Sequence, residues 1–456
     1  MSDDHYGEVH GILFRPARAT SIDFKGNVVN WITLCRMEGG GIPMFRTGFA
    51  KRPFKSDKTN YVLGVCWLGS DLVQSCYDGE TQVLTEDGWK VFTELTVLDK
   101  VATLNENGEI EYQFPSNIVA FPYKGIMYHV QSSQIDLKVT PEHKLYFRKR
   151  DAPKFRLIDA KEVFGIRGEY KKNGKWFGNE RDVFVVPSQE LRDTHKRPYA
   201  SGEKQIDMDV FLEFFGYYIA EGDAHQNKVS IGQSINNVKN RRKTEYCLDS
   251  LPFSYSADSN RFYIYSRQLV LYLKQFGLSC NKYIPKDLKT LSSRQLKILL
   301  NALLLGDGYE EKCYFTTSRL LADDVQEIAI KVGFSSNITV DNVRKSSFGK
   351  NPLFKVHITR NRDTPIVNHG NRKHNTHFQE QWEPYNGFVY CCEVPNHIIL
   401  VRRNGMSVWS GNSWFSNVPD DDFRHMQENH DDYVYVLKKY GKTKTAEEAI
   451  KAEVVI

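Results

Sequence analysis

The sequence predicts a mainly β domain interrupted by an α/β domain. Short strand-like runs separated by turn residues begin at Cys76, as in TQVLT-EDG-WKVFTEL and VATLN-ENG-EIEYQ, and this alternation is typical of β-hairpins. The same texture returns after Phe378 in GFVYCCEV and HIILVRRNGMSVWSGN. Between the two stretches lie two apolar runs of helical length, VFLEFFGYYIAEGD and RQLKILLNALLLGDGYE, each ending in an acidic residue beside glycine. Their similarity indicates an internal repeat.

Length and composition limit the class of protein. A chain of 456 residues that is 41% hydrophobic has room for about two to four domains. No uninterrupted apolar run is long enough to cross a bilayer, and the N-terminus, MSDDHYGEVHG, lacks the pattern of a signal peptide. We therefore expect a cytoplasmic protein that does not engage a membrane. The net charge of +5 argues only weakly for a nucleic-acid partner.

The eight cysteines show neither paired metal-ligand spacing nor the density of a disulfide scaffold, so each is interpreted separately. Cys76 lies in QSCYDGETQVLTEDG, Thr140 and His143 share T-x-x-H spacing in VTPEHKLYF, and Asn412 directly precedes Ser413 in SVWSGNS. Taken singly, each has an ordinary explanation: a core cysteine, a chance spacing and a turn dipeptide. Together, and in this order, they resemble the blocks of the intein family of protein-splicing elements.

The resemblance implies a horseshoe-like splicing domain of the Hedgehog/intein type, built from residues 76–200 and 375–412, with a DNA-contacting loop region possible in its first part. Residues 1–75 and 413–456 would be the N-terminal and C-terminal exteins, the host segments that splicing joins. The splice edges must lie close together, because acyl transfer from Ser75 to Ser413 requires contact. These flanks carry no nucleotide loop, metal cluster or catalytic constellation.

The residue types suit the chemistry of splicing. A thiol is nucleophilic near neutral pH and leaves well, so Cys76 can convert the Ser75–Cys76 peptide into a thioester. Thr140 and His143 would hold this amide and protonate its departing nitrogen. Ser413 would then capture the acyl group, and cyclisation of Asn412 to a succinimide would release the intein. None of these steps needs a cofactor.

One position departs from the family pattern. The residue before the terminal Asn is usually His, but here it is Gly411. His397, in EVPNHIILVRR, is the best substitute proton donor for cyclisation of Asn412. Cys391 occupies a block position where the family usually has Asp and sometimes Cys, and we expect it to assist the C-terminal steps. The other cysteines, Cys392 included, are interpreted as structural.

A second resemblance lies in the middle of the chain, in residues 201–374. FFGYYIAEG and LNALLLGDG look like the paired helices of LAGLIDADG homing endonucleases, which pack side by side through small residues, here Gly216 and Ala302. The resemblance implies that Glu221 and Asp307 end these helices as catalytic and metal-binding carboxylates, with Mg²⁺ as cofactor. In NKYIPKDL, Lys282 would polarise water or offset phosphate charge, and Lys286 is the fallback.

Double-stranded DNA at the uninterrupted host site is the partner that this resemblance implies. Four alternating runs that follow the helices, KVSIGQS, RFYIYSR, CYFTTSR and FKVHITR, are expected to be strands facing the major groove. Phosphate contacts would come from the basic segments KNRRK and DNVRKSSFGK and from the segment near KKNGKWFG, although charge runs are often only solvated faces. We expect a monomer with two pseudosymmetric endonuclease halves, inserted as a separate lobe.

Three hypotheses follow from the sequence. The first is a self-splicing precursor that also cleaves DNA, or its variant with an idle nuclease. The second is a DNA endonuclease or DNA-binding protein with vestigial splicing blocks, which predicts one stable 52.7 kDa species and no ligated product. The third is that the joined flanks form a small binding protein and are the biologically important object.

Overall fold

The computed structural model describes residues 75–191, 198–341, 351–361, 364–368 and 379–412, together with four short strands nearer the N-terminus. These four strands form two hairpins, β1 (Gly7–Val9) with β2 (Ile12–Phe14) and β3 (Phe45–Gly48) with β4 (Gly64–Trp67). Ser413 and the predicted C-terminal extein lie outside the described residues, as does nearly all of DNVRKSSFGK. No helix in the described part is long and apolar enough to cross a bilayer.

Residues 75–207 are almost entirely β. Their elements are β5 (Tyr77–Asp78), β6 (Gln82–Thr85), β7 (Gly88–Val91), β8 (Val101–Leu104), β9 (Ile110–Gln113), β10 (Asn117–Gln131), β11 (Asp136–Val139), β12 (Lys144–Lys149), β13 (Arg156–Asp159), the short helix α1 (Ala160–Val163), β14 (Gly168–Tyr170), β15 (Val183–Val186), β16 (Glu190–Leu191), β17 (Tyr199–Ala200) and β18 (Lys204–Asp207).

Residues 208–368 alternate helices and strands. Their elements are α2 (Met208–Glu221), β19 (Gly222–His225), β20 (Lys228–Gly232), α3 (Val238–Asp249), β21 (Tyr255–Ala257), β22 (Arg261–Tyr265), α4 (Arg267–Leu273), α5 (Lys286–Lys289), α6 (Ser293–Asp307), β23 (Gly308–Tyr309), β24 (Cys313–Thr316), α7 (Arg319–Lys331), β25 (Ser335–Asp341), β26 (Leu353–Thr359) and β27 (Ile366–Val367). The chain then returns to β structure in β28 (Glu380–Glu393), β29 (Ile398–Arg403) and β30 (Met406–Gly411).

The predicted hairpin turns are present. Gly88 and Gly108, the last residues of EDG and ENG, have φ values of +103° and +74°, a region that glycine enters without steric cost. Asn404 and Gly405 join β29 to β30 with φ of +48° and +79°, the pattern of a tight hairpin turn. The mainly β character of the flanking region is therefore as the sequence predicts, while its horseshoe-like outline stays a prediction.

Two long strands bring the ends of the flanking region together. β10 pairs antiparallel with β28 from Asn117↔Glu393 to Val130↔Glu380, and both belong to a closed ring of strands in the order β10-β11-β5-β28. β27, within the predicted endonuclease range, pairs with β14 in the sheet β13-β12-β14-β27. A core that includes Tyr77, Tyr128 and Cys391 fills this region.

The predicted repeat forms two helix-and-sheet units around a shared core. α2 and α6 are its centre, and aliphatic and aromatic side chains of both helices are buried. Asp207 caps α2 by accepting from the N–H groups of Asp209 and Val210, and Ser292 caps α6 by accepting from Gln295. Such side-chain acceptors satisfy N–H groups that have no partner within the helix.

The second unit is not a separate lobe, which corrects the sequence expectation. Its strands β23, β24, β26 and β25 continue into β30, β29, β6, β8 and β9 of the flanking region as one sheet, with β7 paired to β6. The junction is the pairing of Asn337 with Met406. A small core across it contains Ile330 of α7 together with Leu400 and Trp409. At Met406, β25 supplies a partner for the edge of β30 that faces away from β29. Farther along this edge the Trp409 N–H donates to the Lys171 carbonyl.

Buried polar groups also stabilise the junction between the second unit and the flanking region. The Arg402 guanidinium of β29 donates to Asp323 Oδ1 at 2.5 Å and to Gln326 Oε1 at 2.8 Å, both on α7, and to Gln82 Oε1 of β6 at 2.7 Å. It also lies 4.3 Å from the centre of the Trp89 ring. Because the Arg402 side chain is fully buried, these partners are what make its charge tolerable there.

Candidate functional site

The predicted first splice edge lies at the start of β5. The N–H of Cys76 donates to Thr140 Oγ1 at 3.0 Å, and the N–H of Thr140 donates to the Cys76 carbonyl at 3.0 Å. Both residues are buried. Thr140 directly follows β11, which pairs with β5 at Val139↔Tyr77, so the strand register sets this contact. The nitrogen of the Ser75–Cys76 peptide is thereby held in a fixed orientation.

His143 reaches both predicted splice edges. Its Nδ1 lies 3.3 Å from Ser75 Oγ, and its Nε2 lies 3.1 Å from Ser410 Oγ. Complete burial lowers the pKa of the imidazole to about 3, although hydrogen bonds to the backbone of Ser75 and Gly411 act in the opposite direction. The ring is therefore neutral near pH 7 and offers one N–H donor and one acceptor nitrogen.

Asn412 is buried beside the first edge. Its N–H donates to the His397 carbonyl at 3.1 Å, and its side-chain amide donates to the Val394 carbonyl at 3.1 Å. Asn412 Oδ1 has no hydrogen-bond partner among the residues described. Ser75 Oγ donates to the carbonyl oxygen of Asn412 at 3.2 Å, although the two residues are 337 positions apart. The structure thus brings the Ser75–Cys76 peptide and Asn412 together.

The space around Gly411 explains why this residue is not His. A Cβ at Gly411 would lie 2.2 Å from the Lys144 carbonyl oxygen and 2.9 Å from Lys144 Cβ. Both distances are far inside van der Waals contact, and Lys144 directly follows His143 on the chain. The backbone of β12 could move aside only by displacing His143. Glycine is the residue that permits this close approach.

Tyr77 is a site residue that the sequence analysis missed. Its ring lies edge-on to His143 with centroids 4.4 Å apart, and its hydroxyl donates to the Gly411 carbonyl. Burial, with a further contribution from Cys391, raises the pKa of the hydroxyl well above its usual value, so Tyr77 stays a neutral donor. A tyrosine after a cysteine carries no motif signal; only its position next to Cys76 could have drawn notice.

The remaining predicted splicing residues are Cys391, His397 and Ser413, and the structure describes the first two. Cys391 is fully buried on β28, and its thiol lies close enough to the Tyr77 hydroxyl to contribute to the raised pKa of that group. His397 contacts Asn412 through its backbone carbonyl and has a φ of +57°, which fixes the entry into β29. The roles of both side chains in the C-terminal steps stay predictions. Ser413 lies outside the described residues.

The paired helices approach as closely as their small residues allow. A Cβ added at Gly216 would lie 2.5 Å from Ala302 Cβ, and one added at Gly306 would lie 2.5 Å from Ala220 Cβ. The two helices therefore contact each other without side chains between them at these levels. Glu221 and Asp307 are their last residues, so the close packing brings the two carboxylates to one end.

These carboxylates influence each other. Burial raises the pKa of Asp307 to about 7, and Glu221 adds to the rise while Lys282 opposes it. Burial likewise raises the pKa of Glu221, against the effects of Lys282 and Arg261. Desolvation and a like charge both disfavour ionisation. A cation bound between the two groups would remove both penalties.

The donor set fits a divalent cation such as Mg²⁺. Glu221 and Asp307 supply carboxylate oxygens, the ligands that hard cations prefer. No group of three or more His, Cys, Asp or Glu in the described ranges could hold a metal alone. Water and phosphate oxygens would complete the coordination, as is common for Mg²⁺. The two carboxylates therefore fit a cation that takes its remaining ligands from water or other oxygen donors.

Lys282 lies at this end of the helices, and the N–H groups of its ammonium are engaged in hydrogen bonds within the protein. Its Nζ donates to the carbonyls of Tyr218, Ile219 and Gly222 at 3.0, 2.8 and 2.7 Å, which accounts for all three ammonium hydrogens. Burial lowers its pKa to about 8, although Asp307 and other carboxylates oppose this. Lys282 thus ties down the end of α2 and sets a positive charge beside Glu221. Polarisation of water by Lys282 stays a prediction.

The fallback lysine and two basic segments lie elsewhere than expected. Lys286 Nζ donates to Asp87 Oδ1 of the β6–β7 turn at 2.7 Å. KNRRK is part of helix α3, not a loop, and Arg241 within it donates to the carbonyls of Gln233 and Asp258. In KKNGKWFG, Lys172 is fully buried, donates to the Gln134 carbonyl, and has a pKa that burial lowers to about 7. Lys172 and Arg241 are thus engaged within the protein. Of the other basic residues in these segments, Lys175, Lys239, Arg242 and Lys243 are exposed, and phosphate contacts stay a prediction.

The four predicted DNA-facing runs do form strands, β20, β22, β24 and β26. In each, apolar side chains such as Val229 and Val356 face the core, while residues such as Arg261 and His357 lie on the outer side. Arg261 donates to Asp223 at 3.0 Å on that outer side. The alternation agrees with the sequence expectation; groove contacts stay a prediction.

Comparisons with known proteins give distant relatives. No protein-family profile matches the chain. The C-terminal section of the DNA-directed RNA polymerase subunit beta of Stigeoclonium helveticum is 30% identical over 401 residues, which cover 74% of this chain and 36% of that protein. The ATP-dependent Clp protease proteolytic subunit of Chlamydomonas moewusii is 26% identical over 476 residues, covering 77% and 47%. The chain thus spans about a third to a half of these relatives' length.

Among solved structures, I-DmoI in complex with DNA and Mn is similar at 13% identity and a TM-score of 0.25, over 33% of this chain and 90% of that chain. The AceL NrdHF class 3 split intein is similar at 14% identity and a TM-score of 0.18, over 42% and 98%. Likenesses with TM-scores this low do not define the fold of this chain.

Proposed function

We propose that the chain is a self-splicing precursor in which residues 76–412 excise themselves and Ser75 is joined to Ser413. One observation carries the proposal: Ser75 Oγ lies within hydrogen-bond distance of both the His143 ring and the Asn412 carbonyl. Folding has therefore brought two peptide bonds of remote sequence position to one buried site. Acyl transfer between them needs this contact.

The first step is attack by Cys76 Sγ on the Ser75 carbonyl carbon. The carbon–nitrogen bond breaks, a thioester forms, and the proton lost by the thiol ends on the Cys76 nitrogen. Thr140 Oγ1 already accepts a hydrogen bond from that nitrogen at 3.0 Å, which orients it for departure. The neutral His143 ring beside Ser75 can pass the proton along, because it has both a donor and an acceptor nitrogen.

Transfer of the acyl group to Ser413 then gives a branched ester. Asn412 Nδ2 attacks its own carbonyl carbon, the bond to the Ser413 nitrogen breaks, and a succinimide forms as that nitrogen gains the proton that Nδ2 loses. The final ester-to-amide shift joins Ser75 to Ser413. Each step balances without a further reactant.

The breadth of the sequence matches also supports the proposal. Two curated relatives with unrelated names, a polymerase subunit and a protease subunit, each match about three quarters of this chain. For the first, 74% of 456 residues is about 337 residues, and residues 76–412 number 412 − 75 = 337. An element that inserts into unrelated hosts would give matches of this kind.

The test is expression of the whole chain and mass analysis of the products. We expect a spliced host product and an excised segment in place of the 52.7 kDa precursor. Cys76→Ala and Asn412→Ala should each block ligation, whereas Cys247→Ala, which changes a buried cysteine of the insertion, should not. Persistence of the intact precursor in the unsubstituted chain under reducing conditions would contradict the proposal.

A second activity, site-specific cleavage of double-stranded DNA, is proposed for the insertion. It rests on Glu221, which is exposed, and Asp307, which is half-buried; they are the last residues of two closely packed helices, and partial burial raises the pKa of each carboxyl. Mg²⁺ bound there would activate water and stabilise the leaving oxygen of a phosphodiester. The chain's own residues position it: Gly216 and Ala302 set the helix spacing, and Lys282 fixes the turn after Glu221.

This activity is tested with DNA that encodes the uninterrupted host junction. In Mg²⁺ we expect a double-strand cut at that junction, lost in Glu221→Gln and in Asp307→Asn. Glu245→Gln, on the exposed side of α3, is the matched control and should cut normally. No cut by the unsubstituted protein would leave a splicing element with an idle nuclease.

A further inference from the structure

The C-terminal edge lacks the His that usually assists it, and no side chain can be added at that position because Lys144 fills the space at Gly411. Some other donor must therefore stabilise the charge that develops on the Asn412 carbonyl oxygen during cyclisation. Side-chain hydroxyls that reach this junction come from the other splice edge: Ser75 contacts the Asn412 carbonyl at 3.2 Å, and Tyr77 contacts the Gly411 carbonyl.

We propose that Ser75, the last host residue, is a catalytic residue for cleavage after Asn412 while the Ser75–Cys76 peptide is intact: its hydroxyl polarises the Asn412 carbonyl and takes the place of the absent His. The inference rests on the proposed splicing function. It means that a host side chain, not only the excised segment, carries part of the chemistry.

A directed chain of hydrogen bonds supports this role. The neutral His143 ring has one N–H. With that hydrogen on Nδ1, the ring donates to Ser75 Oγ at 3.3 Å, and the Ser75 hydroxyl is left to donate to the Asn412 carbonyl at 3.2 Å. Nε2 then accepts from the Ser410 hydroxyl at 3.1 Å. The backbone of Ser75 and Gly411 also accepts hydrogen bonds from the ring, so this tautomer is one arrangement of the network, and successive hydrogen bonds in it strengthen one another.

The bonds and protons of this step balance. Asn412 Nδ2 forms a bond to the Asn412 carbonyl carbon, and the bond from that carbon to the Ser413 nitrogen breaks. One proton leaves Nδ2 and one arrives on the Ser413 nitrogen. Ser75 keeps its proton and donates a hydrogen bond that strengthens as the carbonyl oxygen becomes negative, which is the condition for a lower barrier.

The experiment separates the C-terminal step from the first one. In a Cys76→Ala background, which cannot form the thioester, release of the C-terminal segment reports cyclisation of Asn412. Ser75→Ala is expected to slow this release by about tenfold or more, and Ser75→Thr, which keeps a hydroxyl, to stay within about threefold of the parent. Ser256→Ala, an exposed serine of the insertion, is the matched control.

Equal release rates for Ser75→Ala and the parent in the Cys76→Ala background would overturn the inference alone. So would a Ser75→Thr variant as slow as Ser75→Ala, since a hydroxyl would then not be the cause. Urea unfolding of each variant distinguishes a lost donor from a lost fold. A chain that neither splices nor releases a segment in any background would overturn the proposed function, and this inference with it.

Discussion

The hydroxyl of Tyr77 donates a hydrogen bond to the carbonyl of Gly411, across 334 positions of sequence. Tyr77 follows the first proposed nucleophile, and Gly411 precedes the asparagine that would cyclise. The bond therefore fixes the two splice edges relative to each other, and the Tyr77 ring at the same time supports His143.

Replacement of Tyr77 by Phe should slow the C-terminal step more than the first one. Phe keeps the ring contact with His143 but removes the donor, and a net loss of about 0.5–1.5 kcal/mol corresponds to a rate roughly 2- to 12-fold lower. The rate of C-terminal release in the Cys76→Ala background measures the effect. Thiol-induced cleavage at Ser75–Cys76, followed in an Asn412→Ala background, should change less. A variant that slows both steps equally would show that Tyr77 only stabilises the fold.

Installing the family's usual His at position 411 should damage this protein. A Cβ there would lie 2.2 Å from the Lys144 carbonyl oxygen, and a backbone shift costs about 1–3 kcal/mol or more. We expect Gly411→His to lower the free energy of unfolding and to slow splicing. Gly79→Ala, where a Cβ would meet only Tyr390 at 3.4 Å, is the control. Faster splicing by Gly411→His would contradict the steric explanation.

Close packing of the helix pair can be tested with a second substitution that compensates for the first. Gly216→Ala places a methyl group 2.5 Å from Ala302 Cβ and should cost about 1–3 kcal/mol of stability. The second change Ala302→Gly removes that methyl and should restore part of the loss, so the two effects should not add. Urea unfolding of both single variants and the double variant gives the coupling. Strict additivity would mean that the helices do not meet at this level.

Stability should fall in acid through His143. Its pKa is about 6.5 in an unfolded chain and about 3 when buried, so between these values the unfolded state binds a proton that the folded state does not. The free energy of unfolding therefore decreases as pH falls from 6.5 towards 3, by at most about 1.4 kcal/mol per pH unit from this group. A splicing-blocked chain with His143→Gln should show a shallower dependence over this window. An unchanged slope would rule out His143 as the source.

The ion pair between Arg402 and Asp323 joins the insertion to the flanking sheet. Asp323→Ala leaves a buried guanidinium with fewer partners and should cost about 3 kcal/mol. Trp89 stacks on Arg402, so tryptophan fluorescence during urea unfolding reports this junction. We expect one cooperative transition that shifts to lower urea in Asp323→Ala and not in Glu310→Ala. Two separated transitions would mean that the insertion and the flanking region unfold independently.

Local patterns in the sequence predicted the hairpins, the paired helices and the alternating strands, because turn glycines, helix length and two-residue periodicity act over a few residues. They also named Cys76, Thr140, His143 and Asn412, which the structure brings together. Tyr77 and Ser75 were missed as donors, since their contacts depend on strand pairing between segments more than 300 positions apart.

The incorrect predictions also arise because contacts between distant segments are not visible in local sequence patterns. KNRRK looked like a solvated basic loop, but Asn237 caps a helix over it. Lys172 looked exposed, but it is buried against Gln134 and Asn337. The insertion looked separable because its motifs form a block in the sequence. Whether a strand edge is covered by a neighbour is a property of the assembled sheet, and β25 covers β30.

The shared sheet limits how this gene can change. A deletion that removed the nuclease cleanly would uncover the β30 edge and the apolar side of Leu400 and Trp409 in a single event, and the remaining protein would be prone to aggregate. Point substitutions at Glu221 or Asp307 carry no such penalty. Loss of the proposed nuclease activity is therefore expected to occur by substitution, while the insertion is kept because it covers this part of the sheet.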